Sequence, residues 1–387
     1  MIANRAWVKR NLGFDPVVTL APARTFAVQA AAKPRAKPED LQRDIIDFDS
    51  EGPEGQAFLA FTTATGLSRF TTIPWPKNLA PKTDARPRKG TSGALPQADV
   101  LVVTWTVDEG HALSRVLTPG KDSHSDYVPY KHNFATISKK MRRGCPALTA
   151  GRLGAYWTAT IGKKKVVVFK SDSHLSQDSR KAPTGTATLP NEDVWQQIIA
   201  EVQPKLVITT GTAGGIGKTC EVGDVIVSPI VRFHCLHWLK SETYHSASYK
   251  DGVPATTYFA KAKTLFKANS GQLPKDNSRP PKIVRATSLQ SAVVTTDFFG
   301  FDTSNNRYGL KGLGAVSEMG DAVLGLVAKR MGKSAPSWVA VRNVSDPQIK
   351  AEGTIKQQAQ TAAQIYKGYG RWSSVCSAIV CWALIAA

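Results

Sequence analysis

Cysteine is scarce in this sequence and nowhere spaced for pairing. The five residues Cys145, Cys220, Cys235, Cys376 and Cys381 are an odd number with no C-x-x-C, which argues against a disulfide framework or a cysteine zinc site and fits a reducing cytoplasm. His234 and His237 lack companion ligands at suitable spacing, so no metal is expected. No run reaches the roughly 20 apolar residues that a membrane-spanning helix needs, so no membrane partner is expected; the apolar tail Ser373–Ala387 is shorter and reads as the buried last helix of a domain. The N-terminus carries Arg5, Lys9 and Arg10 but no apolar core with a small-residue cleavage site, which argues against a secretory signal. Neither a G-x-x-x-x-G-K-[ST] loop nor a well-placed G-x-G-x-x-G occurs, so no cofactor is expected.

Acidic residues are the other shortage. There are 30 Asp and Glu against 50 Lys and Arg, a net charge of +20 in 387 residues. Only 14 of the basic and 9 of the acidic residues precede residue 98, so most of the excess belongs to the folded part rather than to a basic tail. A positive field concentrates any anion, whether a nucleotide or a nucleic-acid backbone. The clusters Arg142-Arg143, Lys163-Lys164-Lys165 and Arg180-Lys181 read first as solvated loop residues, which leaves nucleic-acid binding the weaker reading.

A hydrophobic content of 42% is enough for one large α/β domain with extra material. Residues 1–97 are rich in Ala and Pro and read as a partly irregular appendage with a flexible end at Pro87–Pro96; AFLAFTTATGLSRF within it has the composition of a strand or two. From residue 98 onward strands and helices alternate. ADVLVVTW is an apolar run suited to a strand buried on both faces, and LGAYWTATI with KVVVFK forms a hairpin-like pair. A helix is predicted from Asn191 to about Val202, with Glu192 and Asp193 in its first turn. The strand KLVITT leads to a glycine-rich turn, GTAGGIG, then to the strand GDVIVSP. After a long polar insertion from about His237 to Pro281 come a strand pair around KIVRATSL and SAVVTTDFF, a helix SEMGDAVLGLVAKRMG ending at Gly332, a strand SWVAVRNVS and a last helix from near Gly353. The pattern predicts an α/β fold over 98–387: a central mixed, twisted sheet flanked by helices on both faces.

GTAGGIG at the carboxyl end of a buried strand stands where ligands of open α/β sheets bind. Its glycines permit positive φ and close approach of backbone N–H groups to an oxyanion or a water; an ordinary tight turn is the plainer reading. GTAGGI followed by VGDVIVS resembles the central signature of purine nucleoside phosphorylases and of methylthioadenosine/S-adenosylhomocysteine nucleosidases. TWTVDEGHAL, TTDFFGF and EMGDAVLGLVA with VRNVSDP agree in order and spacing, so the resemblance covers residues 98–387.

The resemblance implies cleavage of a purine N-glycosidic bond in a nucleoside or nucleotide. It implies that Asp346 protonates the leaving base, with Ser345 orienting it and Arg342 supporting the loop, and that Glu109, with Asp108 as neighbour, activates water. Thr212, Ala213 and Gly214 would line the nucleophile side, Met319 would pack beneath the ribose, and Phe299, or else Phe298, would stack on the base. The family's phosphorylases carry a phosphate loop of the G-D-P-x-R kind that this sequence lacks, which favours hydrolysis over phosphorolysis. The family usually has Met-Glu at the ribose position, whereas Met319 is followed by Gly320; Glu318 and Asp321, i and i+3 on the expected helix, are the candidates to replace that acceptor. The long loop FKSDSHLSQDSRKAPTGTATLP carries Lys170, His174, Arg180 and Lys181, and Arg232 and His234 follow the GDVIVSP strand. These cations are candidates for the 5′-phosphate of a nucleotide such as AMP or ATP. A homo-oligomer is expected by resemblance alone. Phosphorolysis and nucleotide sensing without turnover are the alternative readings.

Overall fold

The structure, a computed structural model, describes residues 72–86, 93–181, 186–266, 277–298 and 300–387. AFLAFTTATGLSRF and Phe299 lie outside the described residues.

Thirteen strands form one mixed sheet. The strand order starts with β1 (Lys82–Thr83) on the edge of β4 (Gly154–Ile161), which also carries β3 (Val128–Tyr130). β4 is the antiparallel hairpin partner of β5 (Lys164–Ser171), and β5 lies parallel to β2 (Val100–Thr104). All five β2 residues are buried, as an apolar run without alternation requires of a central parallel strand. β6 (Leu206–Gly215) follows, parallel to β2 on one edge and to β13 (Ser337–Asp346) on the other. β13 pairs in turn with β7 (Val225–Ser228), and β7 with β10 (Ile283–Arg285). Beyond the end of β2, β12 (Val316–Glu318) takes over the edge of β6 and leads through β11 (Val293–Thr296) and β8 (Ile230–His234) to β9 (Ser248–Lys250).

This hand-over places the site. β2 pairs with Leu206–Thr209 and β12 with Gly214 and Gly215. Between them Thr210–Ala213 have β13 on one edge and neither β2 nor β12 on the other. A gap of this kind at strand carboxyl ends is where open α/β sheets take ligands.

The helices pack on this sheet in two groups. α1 (Val107–Leu117) and α3 (Phe259–Phe266) lie against the C-terminal helix α5 (Ile355–Ala386), which also covers β13 and β6; α2 (Pro190–Val202) and α4 (Asp321–Met331) pack on each other. α2 starts on Pro190, with Glu192 and Asp193 complementing its positive end, and stops at Gln203 in the left-handed region. α5 starts with a capping box between Thr354 and Gln357. Its last turns are core: Trp382 is fully buried, and Asn343 of β13 bonds to Ser373 (2.8 Å) and Ser377 (2.7 Å), pinning helix to strand.

Several elements differ from the sequence-based expectation. GTAGG is not a turn but the second half of β6, held extended by β13 and β12. SEM does not open a helix: Val316–Glu318 is paired on both edges as β12, and α4 begins at Asp321. The strands at 283–285 and 293–296 do not pair with each other, because each finds an earlier strand instead. The insertion supplies β9 and α3. Residues 72–86, assigned to the appendage, pack on the domain: β1 extends the sheet, Trp75 meets Trp382 at 4.9 Å between ring centroids, and the Trp382 indole N–H donates to Leu79 O at 2.6 Å. Trp382→Ala removes this contact as well as core volume, and is expected to destabilise the protein by about 3–5 kcal/mol in urea unfolding.

Candidate functional site

Thr104 ends β2 and Thr106 caps α1, so the chain turns sharply above the β6 gap. Thr106 and Glu109 form a capping box: the Glu109 N–H donates to the Thr106 hydroxyl (3.3 Å), and Glu109 Oε2 accepts from the Thr106 N–H at 2.9 Å. The same Oε2 accepts from Trp105 N–H and the Thr104 hydroxyl, each at 3.0 Å. Oε1 reaches across to β6 and accepts from the Thr212 N–H (2.7 Å) and hydroxyl (2.6 Å). Burial alone would raise the Glu109 pKa, but the charge of Arg342 and the bonds from Thr212 and Thr106 outweigh it and hold the group below its ordinary value. Glu109 is therefore a fixed anion.

The glycines of β6 make room for carboxylates. A Cβ on Gly211, whose φ is +144°, would stand 2.4 Å from the Glu109 carboxyl carbon; one on Gly214 would stand 3.0 Å from Asp346 Oδ2. Asp346 ends β13 beside Gly214. Ser345 Oγ donates to Asp346 Oδ1 at 2.8 Å, with the Ala213 carbonyl 3.3 Å away. Burial pushes the Asp346 carboxyl up to about 6, with the Ser345 bond only partly opposing it. Two carboxyl groups thus flank the end of β6, Glu109 held as an anion and Asp346 with a raised affinity for a proton.

Arg342, four residues earlier on β13, is 2% exposed. Its Nε and Nη2 hold Asp321 at 2.8 and 2.5 Å, Nη2 stands 3.2 Å from Glu318 Oε2, and its guanidinium lies over the Trp105 ring at 4.7 Å. Glu318 accepts from the Thr295 hydroxyl and, at 3.0 Å, from the Asp321 N–H. Burial first and the Asp321 charge second push Glu318 up to about 8. Glu109, Glu318, Arg342 and Asp346 line one cleft together with Trp105, Thr212 and Tyr366.

Of the expected residues, the structure brings Glu109, Thr212, Ala213, Gly214, Glu318, Met319, Arg342, Ser345 and Asp346 to this cleft. Asp321 is drawn away from the wall by Arg342, and it does not share a helix face with Glu318, because Glu318 ends a strand. Phe298 is buried in an aromatic cluster, stacked on His237 at 5.0 Å and tilted on Tyr308 at 5.3 Å, away from the cleft wall. Asp108 is buried but is not part of the wall either.

The expected phosphate group does not assemble here. Lys170 pairs with Asp172, which also takes Arg152 at 2.7 Å; Arg180 donates to Lys139 O (2.7 Å); Lys181 is exposed in a bridge to Ala187; Arg232 lies on β8 with Nη1 3.5 Å from Leu313 O; and His234 Nε2 contacts Tyr308 O at 2.8 Å. Among the described residues of that loop, only His174 reaches the wall. Burial pushes its imidazole down to about 4, against the pull of Glu109, so it is neutral.

Sequence reasoning missed Trp105, Thr106, Gly300, Ser317 and Tyr366 as wall residues. The Thr106-x-x-Glu109 capping box was a readable signal for the first two. Tyr366 arrives from α5, with its hydroxyl 3.0 Å from Thr106 Oγ1, and carries no local signal.

A carboxyl raised in the folded state binds a proton that the unfolded chain has released. The Glu318 contribution to stability is therefore complete below its unfolded value and is lost as pH rises through about 8. Glu318→Gln keeps the shape without the titration. Its melting temperature is expected to fall less steeply than that of the parent protein between pH 5 and about 8, in paired thermal scans.

A family model described as the phosphorylase superfamily matches residues 127–369. Among solved structures, the chain is similar to the 5′-methylthioadenosine/S-adenosylhomocysteine nucleosidase of Neisseria meningitidis in complex with methylthio-immucillin-A (16% identity, 74% of this chain and 99% of that one, TM-score 0.43). It is also similar to the futalosine hydrolase of Helicobacter pylori (12%, 74% and 96%, TM-score 0.44). A third likeness is to the S-adenosylhomocysteine nucleosidase of Streptococcus pyogenes in complex with 5-methylthiotubericidin (14%, 76% and 98%, TM-score 0.44). With the family model spanning well over half of its length, the chain belongs to the phosphorylase superfamily of enzymes.

Proposed function

We propose that this enzyme hydrolyses the N-glycosidic bond of an uncharged purine nucleoside. The observation that carries the reading is the pair of carboxyls at the end of β6: Asp346, raised to about 6, and Glu109, held ionised by Arg342 and its hydrogen bonds. Environments that push two acids apart in this way assign one as proton donor and the other as anion.

In this reaction Asp346 gives its proton to N7 of the purine as the C1′–N9 bond breaks, so that the bonding pair leaves on a neutral base. The sugar becomes positive at C1′, and the fixed charge of Glu109 stabilises it. Water adds its oxygen to C1′. Its proton passes to Glu109 after the Thr212 hydroxyl rotates off Oε1, because all five present donors must otherwise stay in place. Glu109 then releases this proton to solvent, and Asp346 takes one up from solvent. The net change is one water consumed, with free base and sugar released.

The charge distribution supports water as the nucleophile and a substrate without phosphate. Among the described wall residues the only cation is Arg342, which is committed to Asp321 and Glu318; His174 is neutral. Inorganic phosphate or a 5′-phosphate would enter beside Glu109 with no free positive partner, at a Coulombic cost.

Incubation with adenosine, inosine and guanosine is expected to release free base at a rate that added inorganic phosphate does not change, measured chromatographically. Release that requires phosphate would make the enzyme a phosphorylase. AMP is expected to be the poorer substrate. Asp346→Asn is expected to lower kcat by about 10²–10⁴-fold, the usual worth of a general acid. In the parent protein kcat/KM is expected to fall as pH rises through about 6, where Asp346 loses its proton.

A further inference from the structure

Two basic stretches that are separate in the sequence, Lys139–Arg143 and Arg180-Lys181, meet on one surface. Arg180 Nη2 donates to Lys139 O at 2.7 Å, the Thr188 hydroxyl to Lys140 O at 2.7 Å, and the Arg142 N–H to Asp178 O at 2.8 Å. Lys139, Arg143 and Lys181 are exposed, and Arg142 and Arg180 are half-buried. The neighbouring acids do not cancel them: Asp178 is fully buried, Asp193 pairs with Lys140, and Glu242 accepts from the Ala187 N–H. The result is a positive patch that a polyanion can cover with release of counterions.

A third segment sets an aromatic face into this patch. The loop Leu236–Leu239 is held by the Asp297 carboxylate, which accepts from the N–H groups of Leu236 (2.9 Å), His237 (3.2 Å) and Leu239 (2.7 Å). On either side of Trp238 the loop is tied inward, with His237 stacked on Phe298 and Leu239 fully buried, so the indole is turned outward and is 42% exposed. Arg142 lies over its ring at 5.1 Å, a favourable cation–π contact that joins the loop to the basic stretch. Because the loop is already fixed by its hydrogen bonds, little further order is lost when a flat ring stacks on this indole.

Cations alone attract any polyanion; an exposed indole among them selects for flat, unpaired bases. Positive charge that follows the backbone, combined with aromatic side chains on which bases stack, is how proteins hold single strands without reading their sequence. A duplex, whose bases already stack on each other, gains only the charge. We infer that this surface binds single-stranded nucleic acid, with a base on Trp238 and the phosphodiester backbone along Arg142, Arg143, Arg180 and Lys181. None of these residues lines the cleft, and the inference is independent of the nucleosidase reading.

The test is fluorescence anisotropy of labelled oligo(dT) and oligo(U) of about 16 nucleotides, titrated with the full chain. Both are expected to bind, with an affinity that falls about tenfold or more between about 50 and 200 mM salt. A DNA duplex of the same length is expected to bind more weakly. Trp238→Ala is expected to weaken single-strand binding about 5–150-fold, the worth of one stacked base, and Trp238→Phe to recover part of it. Arg143→Gln with Lys181→Gln is expected to lower the slope of log Kd against log salt by about 1.4, or about 0.7 for each lost phosphate contact, with an unchanged melting temperature. Binding of neither strand, a duplex or polyglutamate bound as tightly as the single strands, an affinity unmoved by Trp238→Ala, or a slope unmoved in the double variant overturns the inference.

Discussion

One buried guanidinium organises this site. Removing Arg342 from water costs several kcal/mol, and it persists only because its charge is matched in place by Asp321, Glu318 and the field of Glu109. The arrangement has a direction. Asp321 is pulled off the wall, Glu109 is kept ionised, and Glu318, third in the competition for one cation, retains its proton well past the ordinary carboxylate range. Trp105 is oriented because its face covers the cation. The anion beside Gly211 and the retained proton on Glu318 follow from how one positive charge is shared, whereas burial raises Asp346 beside Gly214.

Glu109 merges two roles. A carboxylate three residues after a threonine is a helix-starting device, and here it is one. Its second oxygen is nevertheless bonded to Thr212 across the sheet. The same side chain thus starts the helix and places the negative charge.

The sequence was informative wherever local chemistry and burial agreed. β2, β4, β5, α2 and β13 were legible from apolar runs and helix-start signals, because each is stabilised by the environment those patterns describe. GTAGG was misread as a turn because glycine composition does not tell a turn from an extended strand; Gly214 is set by the bulk of Asp346, and Gly211 by its φ of +144° together with the Glu109 carboxylate. SEM was misread as helix because pairing with β6 and β11 is non-local. The basic loop residues showed the right charge in the wrong place: Lys170 and Arg180 satisfy partners of their own, and nothing in the order of residues reveals that. Tyr366 depends on where a long helix comes to rest, which only the packed chain decides.

The interrupted ladder along β6 separates two kinds of burden within a single strand. Leu206–Thr209 are hydrogen-bonded on both edges and bear the sheet, whereas Thr210–Ala213 lack a neighbouring strand on one edge. A guest seated there meets the edge of this backbone that neither β2 nor β12 occupies. The connections that reach this edge from β2 and β12 are accordingly free to diversify, and the repertoire of molecules accepted can drift while the scaffold keeps its bonds.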